Sequence, residues 1–167
     1  MQSDYMHWAK FKRPVRFALT ASEVPHFRMD GLPLSLADLD MDGASHPRYA
    51  PLRDAIASRY GVSGDQVVAA DGTSMANFLA MAALIEPGDE VLIERPTYEP
   101  LLGTASFLGA SITRFERKPA EAFRLDVEAI ARAMTANTRL IVLTNLHNPS
   151  SALASEAELR ALGELAA

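Results

Sequence analysis

The chain of 167 residues contains no cysteine, which excludes a disulfide framework and any thiolate metal site. Its four histidines are dispersed, without the spacing of metal ligands, so we expect no metal site. The sequence also lacks a P-loop and a G-x-G-x-x-G stretch, and therefore the usual fingerprints of nucleotide binding.

Long apolar runs and an excess of positive charge are also missing. No run approaches membrane-spanning length, and the start MQSDYMHWAKFK lacks the apolar stretch of a signal peptide. Lysine and arginine number 16 against 21 acidic residues, a formal net charge of -5, so no broad basic face is available for phosphate backbones. We expect a cytoplasmic protein with neither a nucleic-acid nor a membrane partner.

The residues that are present favour one globular domain, because 49% are hydrophobic and can bury a core. Up to about residue 48 no helical period persists, and we expect short strands and an irregular amino-terminal arm. From residue 49 onward strands and helices alternate. The predicted strands are 67–70, 91–93, 112–115 and 140–143, and the predicted helices are 52–60, 75–85, 100–108, 126–134 and 155 onward.

This alternation predicts an α/β fold with a mostly parallel sheet and helices on both faces. The segment MANFLAMAALI is apolar on all sides, which predicts a helix buried on most sides. Such sheets bind ligands outside the carboxyl ends of their strands. Three loops follow strands in this way: 71–74, 94–99 and 144–151.

The first loop, Asp71-Gly72-Thr73-Ser74, allows three interpretations. Its backbone N–H groups at a helix start can bind a phosphate group, or Thr73 or Ser74 can simply cap the helix. The stretch also nearly matches the nucleophile elbow G-x-S-x-G, with Asp126 and His147 following in the order of a serine acyl hydrolase.

The other two loops each contain one candidate. Tyr98 lies between two prolines and can offer its ring face to a planar ligand, although a core tyrosine is the simpler interpretation. Asn148 precedes Pro149 and can direct its amide at a ligand oxygen, with a local turn as the alternative.

The combination of PGDEVLI, PTY and HNPS at these spacings resembles the class I and II aminotransferases among the fold-type I pyridoxal phosphate enzymes. The resemblance covers roughly Tyr49 to Ala167. It implies amino-group transfer between an amino acid and a 2-oxo acid, with pyridoxal 5'-phosphate as the cofactor.

The resemblance assigns a role to each candidate. Gly72, Thr73 and Ser74 match the turn that binds the cofactor phosphate, Tyr98 the aromatic that stacks on the pyridine ring, and Asn148 the donor to the phenolic oxygen. Tyr49 is a further candidate for the tyrosine that reaches the phosphate across a dimer. The family usually has threonine and glycine after Asn-Pro, whereas this chain has Ser150 and Ser151.

The family also needs a later lysine for the Schiff base, and none of the three lysines, Lys10, Lys12 and Lys118, follows Asn148. No catalytic residue is therefore assigned. We expect an amino-terminal fragment, inactive alone, with an arm and small-domain segment (1–48) and part of the large domain, truncated at its carboxyl end (49–167). It should form a homodimer or self-associate. A serine hydrolase using Ser74 and a non-catalytic binding or assembly module are the alternatives.

Overall fold

The computed structural model describes residues 3–12, 15–17, 28–38 and 49–167, which form two compact units. One unit contains the described residues of ranges 1–11 and 70–167, and the other contains those of range 12–69. The predicted division into 1–48 and 49–167 stays a prediction.

The described residues contain six α-helices, three β-strands and four short 3-10 helices. The helices are α1 (Asp4–Phe11), α2 (Ala50–Tyr60), α3 (Gly72–Ala82), α4 (Glu99–Phe107), α5 (Val127–Ala133) and α6 (Glu156–Leu165). The strands are β1 (Glu90–Arg95), β2 (Ser111–Glu116) and β3 (Thr138–Val142). The 3-10 helices are Met29–Gly31, Leu36–Asp38, Gly64–Gln66 and Pro119–Glu121.

The three strands form one parallel sheet in the order β2-β1-β3. In the central strand, Val91 pairs with Ile112 on one side and with Leu140 on the other. Because all three strands run in the same direction, their carboxyl ends meet at one edge of the sheet, where the predicted loops 94–99 and 144–151 begin. The third predicted loop, 71–74, does not follow a strand.

Side chains alternate between the faces of β1 and so create two cores. Val91 and Ile93 pack with residues of α3 and α4, whereas Leu92 packs on the opposite face with Ile130 of α5. Helices therefore cover both faces of the sheet. The structure confirms the predicted α/β class.

Local signals set several helix ends as predicted. Gly61 ends α2 in the left-handed conformation, with φ of 65°. Asp126 caps α5 by accepting a hydrogen bond from the Ala129 N–H at 2.9 Å. Ser155 and Glu158 form the predicted capping box at the start of α6.

Some local predictions are wrong. Residues 67–70 form no strand, and the side chain of Val68 is 76% exposed. Helix α3 buries only Met81, because it packs through one face while Met75 and Leu79 remain exposed. Helix α6 ends at Leu165 rather than continuing to the last residue.

The amino-terminal segment also differs from the expected short strands, since its described residues include α1. The Ser3 hydroxyl accepts a hydrogen bond from the Met6 N–H at 3.0 Å and so caps this helix. Asp4 in its first turn and Lys10 in its last turn suit the helix dipole. Among the described residues, no helix has both the length and the apolar character needed to cross a membrane.

Candidate functional site

Residues 71–74 form the N-cap and first turn of α3. Gly72 has φ of +82°, a conformation that side-chain-bearing residues rarely adopt, and its N–H donates to the Ala70 carbonyl at 2.9 Å. The N-cap is Asp71, whose side chain makes no capping hydrogen bond, so the suggestion that Thr73 or Ser74 caps the helix is wrong. The N–H groups of Thr73 and Ser74 lie in the first helical turn, where no intrahelical carbonyl is available to them.

Tyr98 lies between β1 and α4 and is half-buried. Its hydroxyl donates to the sulfur of Met6 at 3.8 Å, and its phenol oxygen has a hydrogen bond with the Ser74 side chain. Burial raises the pKa of the Tyr98 phenol, and the charges of Tyr5 and Glu99 act in the same direction, whereas the Ser74 hydrogen bond opposes them. The phenol therefore stays neutral near physiological pH.

Ser74 and Tyr98 line one cavity of about 330 Å³, at the lower end of the range for small-molecule sites. Its other walls come from α3, α4 and the amino-terminal segment, including Ser3 and Met6. The Tyr5 ring meets the Tyr98 ring edge-on, with centroids 5.6 Å apart. Helix α1 thus covers part of the aromatic surface that the sequence motifs assign to ring stacking.

Asn148 lies on the loop after β3 and is exposed. Its backbone N–H donates to the Thr144 hydroxyl at 2.7 Å. It does not line the cavity that Ser74 and Tyr98 share. The structure therefore brings two of the three predicted loops together, and it places the third beside the loop that carries Tyr98, since His147 bonds to the Pro96 carbonyl at 3.0 Å.

A buried polar cluster at this edge of the sheet was not predicted. Glu94, Arg117 and His147 are each at most 1% exposed. Arg117 Nη1 lies 3.0 Å from Glu94 Oε2. The sequence did offer one signal of this cluster: Glu94 is a charged residue directly after the apolar run VLI. A carboxylate buried at that position needs a charged or hydrogen-bonding partner.

The two ring nitrogens of His147 are both engaged. Because the Pro96 carbonyl can only accept, Nε2 carries the proton in that bond. Nδ1 lies 2.5 Å from the Ser150 hydroxyl oxygen, which also accepts from the Ala152 N–H. These two contacts hold the His147 ring between the loop after β1 and the loop after β3.

These contacts exclude the arrangement needed by the serine hydrolase alternative. His147 directs neither ring nitrogen at Ser74, and the carboxylate of Asp126 caps α5. A hydrolase triad requires the histidine to bond to the serine hydroxyl and to the acid. Ser74 instead lines a cavity together with Tyr98.

Tyr49 belongs to the second compact unit, where it immediately precedes α2 and is 72% exposed. In that unit it lines a small groove with Leu52 and Arg53. Its suggested contact across a dimer stays a prediction.

Comparison with known proteins adds an independent observation. The sequence model of the family "Aminotransferase class I and II" matches residues 36–167. The chain belongs to the class I and II aminotransferase family. This confirms the resemblance that the motifs carried.

Similar aminotransferases include a probable N-succinyldiaminopimelate aminotransferase of Mycobacterium tuberculosis, 36% identical over 72% of this chain and 32% of the relative. The arginine–pyruvate transaminase of Pseudomonas aeruginosa is 32% identical over 80% of this chain and 37% of its own. Among solved structures, an aspartate aminotransferase from Thermus thermophilus aligns with a TM-score of 0.67 and 30% sequence identity. The alignment covers 69% of this chain and 32% of the aspartate aminotransferase chain. The chain thus spans about a third of the length of these relatives.

Aminotransferases of class I and II use pyridoxal phosphate, and the described residues can be compared with that group. The free N–H groups of Thr73 and Ser74 suit a phosphate, and Tyr98 offers an aromatic ring beside them. The shared cavity shows that Ser74 and Tyr98 are neighbours. Ser74 and Tyr98 therefore fit part of the phosphate-binding turn and the ring of the cofactor, whereas Gly72, Thr73 and Asn148 do not line this cavity.

Proposed function

We propose that this chain forms the amino-terminal part of a pyridoxal-phosphate-dependent aminotransferase, which transfers an amino group between an amino acid and a 2-oxo acid. The observation that carries the proposal is the cavity shared by Ser74 and Tyr98, in a chain of the aminotransferase family. The cavity lies between α3, which begins within the turn 71–74, and α4, which follows the loop after β1, with Ser3 and Met6 as further walls. A parallel sheet offers its ligand site at this edge.

Each candidate residue has a distinct physical task in this proposal. The backbone of Gly72, Thr73 and Ser74 binds the phosphate, because free N–H groups and the helix dipole favour an anion. Tyr98 holds the ring by offset stacking, worth about 1 kcal/mol beyond the area buried. The Asn148 amide donates to the phenolic oxygen, a bond strengthened when that oxygen is ionised.

The bound cofactor would supply an electron-accepting ring for chemistry at the amino-acid α-carbon. That chemistry also needs an amine beside the reacting carbon. The three lysines of this chain all precede Asn148, whereas the resemblance assigns the reactive lysine to a later position. We therefore propose that the chain by itself binds pyridoxal phosphate poorly and transaminates negligibly.

Binding can be tested by titrating the purified chain with pyridoxal phosphate and following its absorbance and retention in equilibrium dialysis. We expect saturable binding that is about tenfold weaker after Tyr98→Ala, because the ring partner and its packing are lost. Tyr60→Ala is the matched control, since Tyr60 is exposed in the other unit. Equal affinities of the two variants would contradict the assigned role of Tyr98.

The same measurement separates the non-catalytic alternative. A non-catalytic binding or assembly module of this fold would be folded and monodisperse without cofactor, and it would show no saturable binding of pyridoxal phosphate. Amino-acid and 2-oxo-acid substrates, a homodimeric or self-associating state and a cytoplasmic location stay predictions for the whole protein.

A further inference from the structure

The carboxylate of Glu94 connects the carboxyl ends of all three strands. Glu94 belongs to β1, and its Oε2 accepts from Arg117, the residue immediately after β2, at 3.0 Å. Its Oε1 accepts from both the backbone N–H and the hydroxyl of Thr144, two residues beyond β3, each at 2.7 Å. Glu94 is completely buried, so these hydrogen bonds replace the water that the charge would otherwise need.

Thr144 passes this restraint on to Asn148. A hydroxyl has one proton, and that of Thr144 is directed at Glu94, so the oxygen is left as an acceptor. It accepts from the Asn148 N–H at 2.7 Å. The hydrogen bonds therefore run in one direction, from the Asn148 backbone through Thr144 to a buried negative charge, which strengthens them.

His147 holds the same loop from its other side. Its Nε2–H donates to the Pro96 carbonyl at 3.0 Å, two residues before Tyr98. The loop that carries Asn148 is thus attached both to the end of β1 and to the segment that leads to Tyr98.

We propose that Glu94 and Thr144 are positioning residues, which set the place of Asn148 beside the cofactor site. The inference rests on the proposed function, because Asn148 is the residue assigned to the phenolic oxygen. Neither Glu94 nor Thr144 needs to touch the cofactor. Their effect on binding passes through Asn148.

The test compares Thr144→Val with Thr144→Ser in the whole chain. Valine retains the shape but loses the hydroxyl, whereas serine keeps it. Hydrogen exchange of the Asn148 backbone N–H, measured by NMR, should be about tenfold faster in Thr144→Val and near the original rate in Thr144→Ser. Thr144→Ala gives the same comparison if the valine variant does not fold.

The link to the cofactor is tested by a double-mutant cycle with pyridoxal phosphate as the ligand. Thr144→Val should weaken binding about three- to tenfold when Asn148 is present, and Thr144→Ser should restore it. In an Asn148→Ala background, Thr144→Val should have no further effect, because the two residues act through one interaction.

Three results would overturn the inference. The first is an unchanged exchange rate of the Asn148 backbone N–H in Thr144→Val. The second is an unchanged affinity of that variant for pyridoxal phosphate. The third is a loss of affinity on Thr144→Val that is equal in the presence and in the absence of the Asn148 side chain. The proposed function fails separately, if the unsubstituted chain does not bind pyridoxal phosphate. In that case there is no cofactor site for Asn148 to serve, and the positioning role is rejected even if the exchange rates differ.

Discussion

The carboxylate of Glu94 lies 3.0 Å from the guanidinium of Arg117, and both side chains are fully buried. Removing one partner of such a pair leaves an uncompensated charge in the interior. We expect Arg117→Met to lower the free energy of unfolding by about 3–5 kcal/mol. Urea unfolding followed by circular dichroism measures this loss.

The control for this variant is Arg95→Met. Arg95 forms an ion pair with Glu116 at 3.7 Å on the surface, where water screens the charges. We expect little change in stability. If both variants lowered the free energy of unfolding equally, the buried ion pair would stabilise the fold no more than the surface pair does.

Glu90 should make folding sensitive to acid. The hydrogen bond from Thr138 is the main cause that holds the pKa of this carboxyl below the ordinary glutamate value of 4.5; burial opposes it, and hydrogen bonds from Thr135 and Thr113 add to it. Above pH 4.5 the hydrogen bonds to the Glu90 carboxylate contribute fully to the stability of the folded protein. This contribution is lost as the pH falls through the lower folded-state pKa, because the folded protein then takes up the proton.

Melting temperatures near neutral pH and near about pH 3 test this dependence. The acid-induced decrease should be smaller in Glu90→Gln and in Thr138→Val than in the unsubstituted chain. Thr138→Ser keeps the hydroxyl and should retain the decrease. If Glu90→Gln melts with an unaltered pH dependence, Glu90 is not the group responsible.

Helix α1 should control the environment of Tyr98. Tyr5 packs edge-on against its ring, and the Met6 sulfur accepts its hydroxyl proton. Replacing both Tyr5 and Met6 by alanine should expose the phenol and lower its raised pKa toward the ordinary value of 10.0. It should also strengthen pyridoxal phosphate binding, because more of the cavity becomes accessible.

Ultraviolet absorbance titration of tyrosinate measures this pKa, and Tyr98→Phe identifies the contribution of Tyr98 to the curve. His7→Ala is a suitable control, since His7 lies on the same helix but contacts Phe11 instead. A Tyr98 pKa that is equal in the double variant and in the control would contradict the contact.

The exposed apolar side of α3 predicts self-association. Leu79 is 44% exposed, and Phe107 at the end of α4 is 61% exposed. Burying such side chains against a second molecule is favourable. Leu79→Lys with Phe107→Lys should therefore shift the chain toward monomer in sedimentation velocity.

Asn137→Lys is the control for the added charge, because Asn137 is exposed at the opposite end of the sheet, before β3. It should leave the concentration dependence of sedimentation unchanged. A chain that is monomeric over the whole concentration range without any substitution would refute the prediction.

Much of the fold could be predicted because its signals are local. Apolar runs located β1, β2 and β3, although each observed strand is longer than the run that predicted it. Asp126 and the pair Ser155 and Glu158 marked helix starts, because a cap bonds to a backbone group only three residues away. The family motifs named the candidate site residues.

The errors occurred where a residue's neighbours come from distant parts of the chain. Val68 lies in a sequence typical of a strand, but a strand also needs a partner, and apolar character alone cannot supply one. The composition of α3 predicted burial on most sides, whereas contacts with other elements bury only Met81. Helix α1 was missed because its apolar pattern is short and its cap, Ser3, is a single residue.

By itself, the sequence determined the order and type of the strands and α-helices from β1 onward, the parallel α/β class and the aminotransferase family, because periodicity, caps and motifs depend on residues close together in the chain. Only the tertiary structure decided that Ser74 and Tyr98 share a cavity, that α1 covers part of it, and that Glu94 binds Thr144 fifty residues away. The contact between Glu94 and Thr144 arises because parallel strands bring their carboxyl ends to one edge of the sheet. The cavity arises where α3, α4 and the amino-terminal segment pack together. Both depend on proximity in space, which the separation of residues along the chain does not encode.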